Sequence, residues 1–145
     1  MKKIKSSIVC TIILTIALLF NSCGSSLITI EHRTWEFSHI QNEEGAVVYR
    51  SEAAEKQHLF DEAEVIDLSC SIGKNMMTLA TEARSWNISY TIDGDSNGST
   101  MYDLSYNGSD GYATVSKTVR DNGNNEYTMI VVLGGYTVYF TAPIN

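Results

Sequence analysis

Apolar and polar residues alternate one by one along much of this chain. The clearest case runs from Trp86 to Ile92, where every second residue is apolar and the residues between are polar. Successive side chains of a β-strand point to opposite faces, so this pattern predicts a strand with one buried face. It predicts further strands at residues 66–72, 102–106 and 136–141, and less regular ones at residues 28–40, 46–50, 75–81, 112–119 and 127–133.

Turn-forming residues separate the predicted strands. Runs rich in glycine, asparagine and aspartate occupy residues 94–98, 107–111 and 121–123, and Gly134-Gly135 has the form of a two-residue hairpin loop. Such short connections make neighbouring strands pair antiparallel. We therefore predict an all-β fold, an antiparallel meander of about eight or nine strands that closes into a barrel and so leaves no exposed edge.

One stretch departs from the alternating pattern. Residues 51–64 are rich in alanine, glutamate and other helix-compatible residues, and Ser51 is a suitable helix cap. We predict a short helix near residues 52–63, inserted as a lid or plug between the second and third strands. A long acidic loop is the alternative.

The first residues have the pattern of an export signal. Three lysines within residues 2–5 precede an almost wholly apolar run at residues 8–20. A bilayer core requires about 20 apolar residues, so this run is too short for a comfortable membrane span. The chain is thereby predicted to be exported.

The end of this signal resembles the lipobox of bacterial lipoproteins, because the small residue Ser22 directly precedes Cys23. The resemblance implies removal of residues 1–22, thioether lipidation of Cys23 and acylation of the new amino terminus. An ordinary secretory signal with an incidental cysteine is the alternative. The expected organisation is a lipoprotein signal peptide at residues 1–22, a lipidated tether at residues 23–27 and a single β-barrel domain at residues 28–145.

The charge of the chain limits the classes of partner it can bind, and its cysteine content limits the disulfides it can form. The chain carries 10 basic and 17 acidic residues, and three of the basic ones lie in residues 1–22, so the remainder has a net charge of −10. Such an acidic domain is unsuited to nucleic acid, and its link to the membrane should be the lipid. Cys70 is the one cysteine beyond Cys23, which excludes an intramolecular disulfide between mature-domain thiols. No cofactor is expected.

A tryptophan near the start of the mature domain, Trp35, precedes the predicted meander. In this respect the chain is similar to small lipocalin-like lipoproteins of bacteria. That resemblance implies a closed antiparallel barrel with either a ligand pocket or a blocked interior.

The aromatic residues on inward-facing positions are the main candidates for a binding site. We expect Trp35, Trp86, Tyr90, Tyr102 and Tyr106 either to line a pocket for a small apolar or sugar-like ligand or simply to fill the barrel. The alternation also predicts a set of core residues: Ile88, Tyr90, Leu104, Met129, Val131 and Val138.

A calcium site is a second candidate. Asp93, Asp95 and Asn97, followed by Gly98, reproduce the opening of a calcium-binding loop, with oxygen ligands at alternating positions. Position 12 of that motif, normally a bidentate glutamate, is here Leu104. Hairpin turns collect the same residue types, so a plain turn is the alternative.

No catalytic residue is predicted. A nucleophile elbow, a phosphate-binding loop and a zinc-protease motif are all missing from the sequence, and the spacing of His32 and His39 on one predicted strand puts them on opposite faces. We expect a non-catalytic protein, lipid-anchored in the cell envelope or at the cell surface, that binds a small ligand or an envelope partner. The alternatives are a structural or inhibitory module acting through its outer surface, and a hydrolase with an unrecognised carboxylate site.

A strict meander also predicts how charge is distributed. Successive loops would alternate between the two ends of the barrel, which places six acids against Lys74 and Arg120 at the end away from the lipid. These six acids are Glu43, Glu44, Asp93, Asp95, Asp121 and Glu126. Such a rim is expected to meet a cationic partner or a divalent ion, or merely to be solvated.

Overall fold

The computed structural model describes residues 27–144, which form an all-β fold of ten strands and one short helix. The predicted signal peptide and Cys23 lie outside the described residues. The strands are β1 Glu36–Gln41, β2 Val47–Arg50, β3 Glu64–Val65, β4 Ser69–Gly73, β5 Met76–Ala80, β6 Ser85–Ser96, β7 Ser99–Tyr106, β8 Ser109–Val119, β9 Asn125–Leu133 and β10 Tyr136–Pro143. Helix α1 is Glu52–Lys56.

All ten strands belong to one sheet in the order β3-β2-β1-β10-β9-β8-β7-β6-β5-β4. Strands β4 to β10 form the predicted antiparallel meander, and β1 joins it by pairing with β10. Three of the four two-residue hairpins turn at Asn97-Gly98, Asn107-Gly108 and Gly134-Gly135, whose residues all have positive φ. Two successive positive φ angles define the turn whose twist suits a two-residue hairpin.

The sheet curls on itself into a barrel-like shape. Trp35, which directly precedes β1, forms an antiparallel bridge with Cys70 of β4, so the two sides of the curled sheet meet there. The inward faces then share one core. All six predicted core residues are buried in it, with Met129 fully buried and Val138 the most exposed at 8%. The core prediction is therefore confirmed.

A short helix does form in the predicted region, although it ends at Lys56 and not near residue 63, and its cap can be seen. The Ser51 hydroxyl accepts a hydrogen bond from the Ala54 amide at 3.1 Å, which satisfies one of the free donors of the first turn. The segment that contains this helix connects β2 to β3, and these two strands pair in parallel. The periodicity did not predict this parallel pairing.

This crossover makes the prediction of an acidic rim wrong. The turns at 74–75, 97–98 and 120–124 do lie together, at what we call the closed end. The turn at 42–46 lies at the opposite end, the mouth end, with those at 81–84, 107–108 and 134–135. Glu43 accordingly packs against Gly135. Because β3 runs in the same direction as β2, the later loops lie at the opposite end from the one that a strict meander predicts relative to the turn at 42–46. Glu43 and Glu44 are therefore separated from Asp121 and Glu126.

The predicted first strand is shorter than expected. Residues 28–40 were predicted as one strand, whereas the strand begins at Glu36 and residues 27–34 form a segment without strand structure. His32 has a φ of 59°, which is incompatible with a continuous strand. The apolar residue Ile30 is 1% exposed in this segment, so its burial arises from plugging the barrel and not from a sheet.

Candidate functional site

The interior of the barrel is open toward the mouth end. A cavity of about 540 Å³ lies there. It is lined by eight aliphatic residues, four aromatic residues, one threonine and one arginine: Ile40, Ile66, Leu68, Leu79, Ile88, Val131, Leu133, Val138, Tyr49, Trp86, Tyr106, Tyr136, Thr81 and Arg84.

Strand alternation places these side chains. On β6 and β10 the cavity residues are two apart, Trp86 with Ile88 and Tyr136 with Val138, so both members of each pair face inward. Strands β6, β9 and β10 each contribute two residues to the wall, β7 contributes Tyr106 alone, and β8 contributes none.

The floor of the cavity is a packed aromatic and aliphatic layer. Tyr90 and Tyr102 meet edge to face with ring centroids 5.7 Å apart, and both residues are almost fully buried. Their hydroxyl groups are engaged. Tyr90 donates its proton to the Glu31 carboxylate at 2.8 Å and to the Gly73 carbonyl at 2.7 Å, which share it, and Tyr102 donates to the Ile28 carbonyl at 2.9 Å.

Residues 27–34 seal the closed end by hydrogen bonds to the barrel. The Ile28 amide donates to the Thr100 hydroxyl at 2.7 Å, and the Trp35 indole donates to the Ile30 carbonyl at 2.9 Å. The Arg33 guanidinium lies 3.9 Å from the centroid of the Tyr127 ring, a cation–π contact. Buried polar groups that find partners in this way hold the segment in one position.

Of the five aromatic residues predicted for a ligand site, two line the cavity and three do not. Trp86 and Tyr106 lie in the cavity wall. Trp35, Tyr90 and Tyr102 do not line the cavity, and the closing segment uses their polar atoms.

Sequence reasoning did not include Tyr49, Thr81 or Arg84 in the site. Arg84 sits in a turn and gives no periodic signal. Tyr49 reaches the cavity because β2 pairs with β1 beside Ile40, a consequence of the tertiary pairing alone.

The three predicted calcium ligands lie at the closed end. Asp93 and Asp95 are in β6, where the ladder to β7 is irregular around Gly94, and Asn97 is the first residue of the hairpin turn. Across residues 27–144, no three histidine, cysteine, aspartate or glutamate side chains converge as a metal site. The turn conformation by itself accounts for asparagine followed by glycine here.

Burial shifts the pKa values of two side chains near the seam of the sheet. It raises the pKa of the Cys70 thiol to about 12, so this cysteine is a protonated, weakly nucleophilic group at neutral pH. Burial also lowers the pKa of His39. The ring of His39 is stacked on that of Tyr139, with centroids 4.2 Å apart, and the Phe60 ring covers it, with centroids 4.4 Å apart. Both groups are therefore uncharged at neutral pH.

Replacing Tyr90 with phenylalanine is expected to reduce the loss of stability in alkali. Burial, followed by the hydrogen bond and charge of Glu31, raises the pKa of Tyr90 from 10.0 to about 12. The folded state thus favours the neutral phenol. The contribution of the neutral Tyr90 phenol to the stability of the fold is complete below about pH 10 and is lost as the pH rises through about 12.

Urea unfolding at about pH 8 and about pH 11.5 measures this effect. Tyr112→Phe is the matched control, because Tyr112 is 46% exposed. The free energy of unfolding should fall less between the two pH values in Tyr90→Phe than in the wild type or the control. An equal fall in all three proteins would contradict the assignment.

Within residues 27–144, no helix has the length and apolar character required to cross a bilayer. Comparisons with protein-family models, with curated proteins and with solved structures find no match for this chain.

Proposed function

We propose that this protein is a non-catalytic binding protein, exported and anchored by a lipid on Cys23, that holds a small apolar ligand in the cavity at its mouth end. The observation that carries the proposal is a preformed apolar cavity of about 540 Å³ in a barrel whose other end is tightly packed. Ligand sites typically have volumes of about 300–1,000 Å³ and mostly apolar walls.

The chemistry of the wall favours an apolar ligand over a sugar. Each sugar hydroxyl that enters a cavity has to regain the hydrogen bonds it leaves in water, and an unpaired buried hydroxyl costs about 1–3 kcal/mol. Against eight aliphatic side chains, the wall offers a few polar groups: the Thr81 hydroxyl, three tyrosine hydroxyls, the Trp86 indole and the Arg84 guanidinium at the rim. An apolar body, in contrast, gains about 25 cal/mol for each Å² it buries.

The position of the chain's first described residues suits an anchor at Cys23. Residue 27 lies at the closed end, where the Ile28 amide bonds to Thr100. Cys23 precedes it by four residues, a reach of at most about 14 Å. A lipid at this position would hold the closed end near the bilayer and turn the mouth away from it.

Titration with a neutral hydrophobic dye such as Nile red tests the binding part of the proposal. The full chain with Cys23→Ser, which cannot carry the thioether lipid, is the form to use, because a membrane or detergent would itself take up dye. We expect saturable binding with one site per chain. Dye fluorescence that rises without saturation, or does not rise, would refute a preformed ligand site.

Cys23→Ser also tests the anchor. The variant is expected to leave the membrane fraction, because the acyl chains that give stable membrane attachment are lost. Cys70→Ala is the matched control, since it removes a thiol from the barrel and should remain with the membranes. Equal membrane association of both variants, with the signal peptide shown by mass spectrometry to be removed, would refute the lipid anchor.

A further inference from the structure

Arg84 is the one charged residue in the cavity wall. It ends the turn between β5 and β6, which is closed by a hydrogen bond from the Thr81 amide to the Arg84 carbonyl at 2.8 Å and by another from the Arg84 amide to the Thr81 hydroxyl at 3.3 Å. The backbone of this arginine is thereby fixed at the rim, while its side chain is exposed to solvent.

The guanidinium of Arg84 takes part in none of the ion pairs of residues 27–144, whose cations are Arg50, Lys56 and Arg120. It is therefore available to a ligand. Guanidinium groups match carboxylates by two parallel hydrogen bonds, a geometry that a lysine cannot reproduce.

The surroundings of Arg84 limit the charge of such a ligand. The mouth end also carries Glu43, Glu44 and Glu82, all exposed. These acids repel every anion, and the repulsion grows with each negative charge on the ligand. Among anions, the rim therefore favours a single carboxylate that faces the guanidinium over a head group of higher charge.

The volume and lining of the cavity suit a compact ligand body. A volume of about 540 Å³ is within the usual range of small-molecule sites. Trp86, Tyr106 and Tyr136 provide aromatic surfaces against which a planar ring packs well.

We propose that the ligand is a compact, ring-containing monocarboxylate whose ring system lies in the cavity and whose carboxylate is bound by Arg84 at the rim. This inference rests on the proposed function, because it names the class of ligand for the same cavity.

The test compares two probes of nearly the same shape, naphthoic acid and its neutral counterpart naphthalenemethanol, by calorimetry at neutral pH. The proteins are the full chain with Cys23→Ser, the same chain with Arg84→Gln, and the same chain with Lys74→Gln. Lys74 is exposed in the turn at the closed end, so its substitution removes an equal charge far from the mouth.

We expect the acid to bind about tenfold more tightly than the alcohol, the size of effect typical of a charge-assisted hydrogen bond. Arg84→Gln should abolish that preference by weakening binding of the acid, and Lys74→Gln should preserve it. Equal affinities of the acid and the alcohol in the unsubstituted protein, or a preference that survives Arg84→Gln, would overturn the role of Arg84 while the cavity remains a binding site. Binding of neither probe would overturn the proposed function and this inference together.

Discussion

Phe140→Ala is expected to lower the free energy of unfolding by about 3–5 kcal/mol, the typical cost of removing a fully buried phenylalanine ring. Phe140 has no exposed surface, and its ring meets that of Phe37 edge to face with centroids 6.1 Å apart. It also lies opposite Met129 in the ladder between β10 and β9. Truncation therefore leaves a hole between the floor of the cavity and the closed end.

The measurement is urea unfolding at neutral pH. Tyr112→Ala removes an aromatic ring of similar size from the outer face of β8, where it is 46% exposed, and is expected to cost less than about 1 kcal/mol. A domain of this size has about 5–15 kcal/mol of stability in total, so the two variants should be well separated. Similar losses for both would show that the inward and outward faces have been assigned wrongly.

Ile40→Trp is expected to weaken binding of Nile red by about 10- to 100-fold. Ile40 of β1 pairs with Val138 on one side and with Tyr49 on the other, and all three residues line the cavity. An indole at this position occupies the volume that the ligand requires. Forcing two apolar bodies into one packed space costs about 1–3 kcal/mol, and each 1.4 kcal/mol is a factor of ten in affinity.

Ile130→Trp is the matched control for this experiment. Ile130 lies in β9 opposite Tyr139, on the outer face and half-buried, so the same substitution adds an indole outside the cavity. This control should bind the dye as the unsubstituted protein does, and thermal unfolding should confirm that both variants are folded. If Ile40→Trp binds as tightly as the control, the dye occupies a site other than the cavity at the mouth end.

Local patterns were sufficient to predict most of the strands and the core. Alternation along Trp86 to Ile92 reports which side chains share a face, because successive side chains of any strand point to opposite sides. Asn97-Gly98 and Gly134-Gly135 mark hairpins, because few other residues tolerate the positive φ angles that such turns require. Ser51 marks the start of the helix for an equally local reason, its hydrogen bond to the Ala54 amide.

The sequence by itself thus determined the all-β class, most strand positions and the inward-facing residues, since these depend on neighbours within a few positions along the chain. Only the tertiary structure decided the parallel pairing of β2 with β3 and the burial of Ile30 in the closed end. It also decided which aromatic residues pack in the core and which line the cavity. Trp35 and Trp86 have similar local patterns, but Trp35 bridges to Cys70, far along the chain, and is buried, whereas Trp86 lines the cavity. Contacts between distant segments depend on how the whole sheet curls, and no short stretch of sequence contains that information.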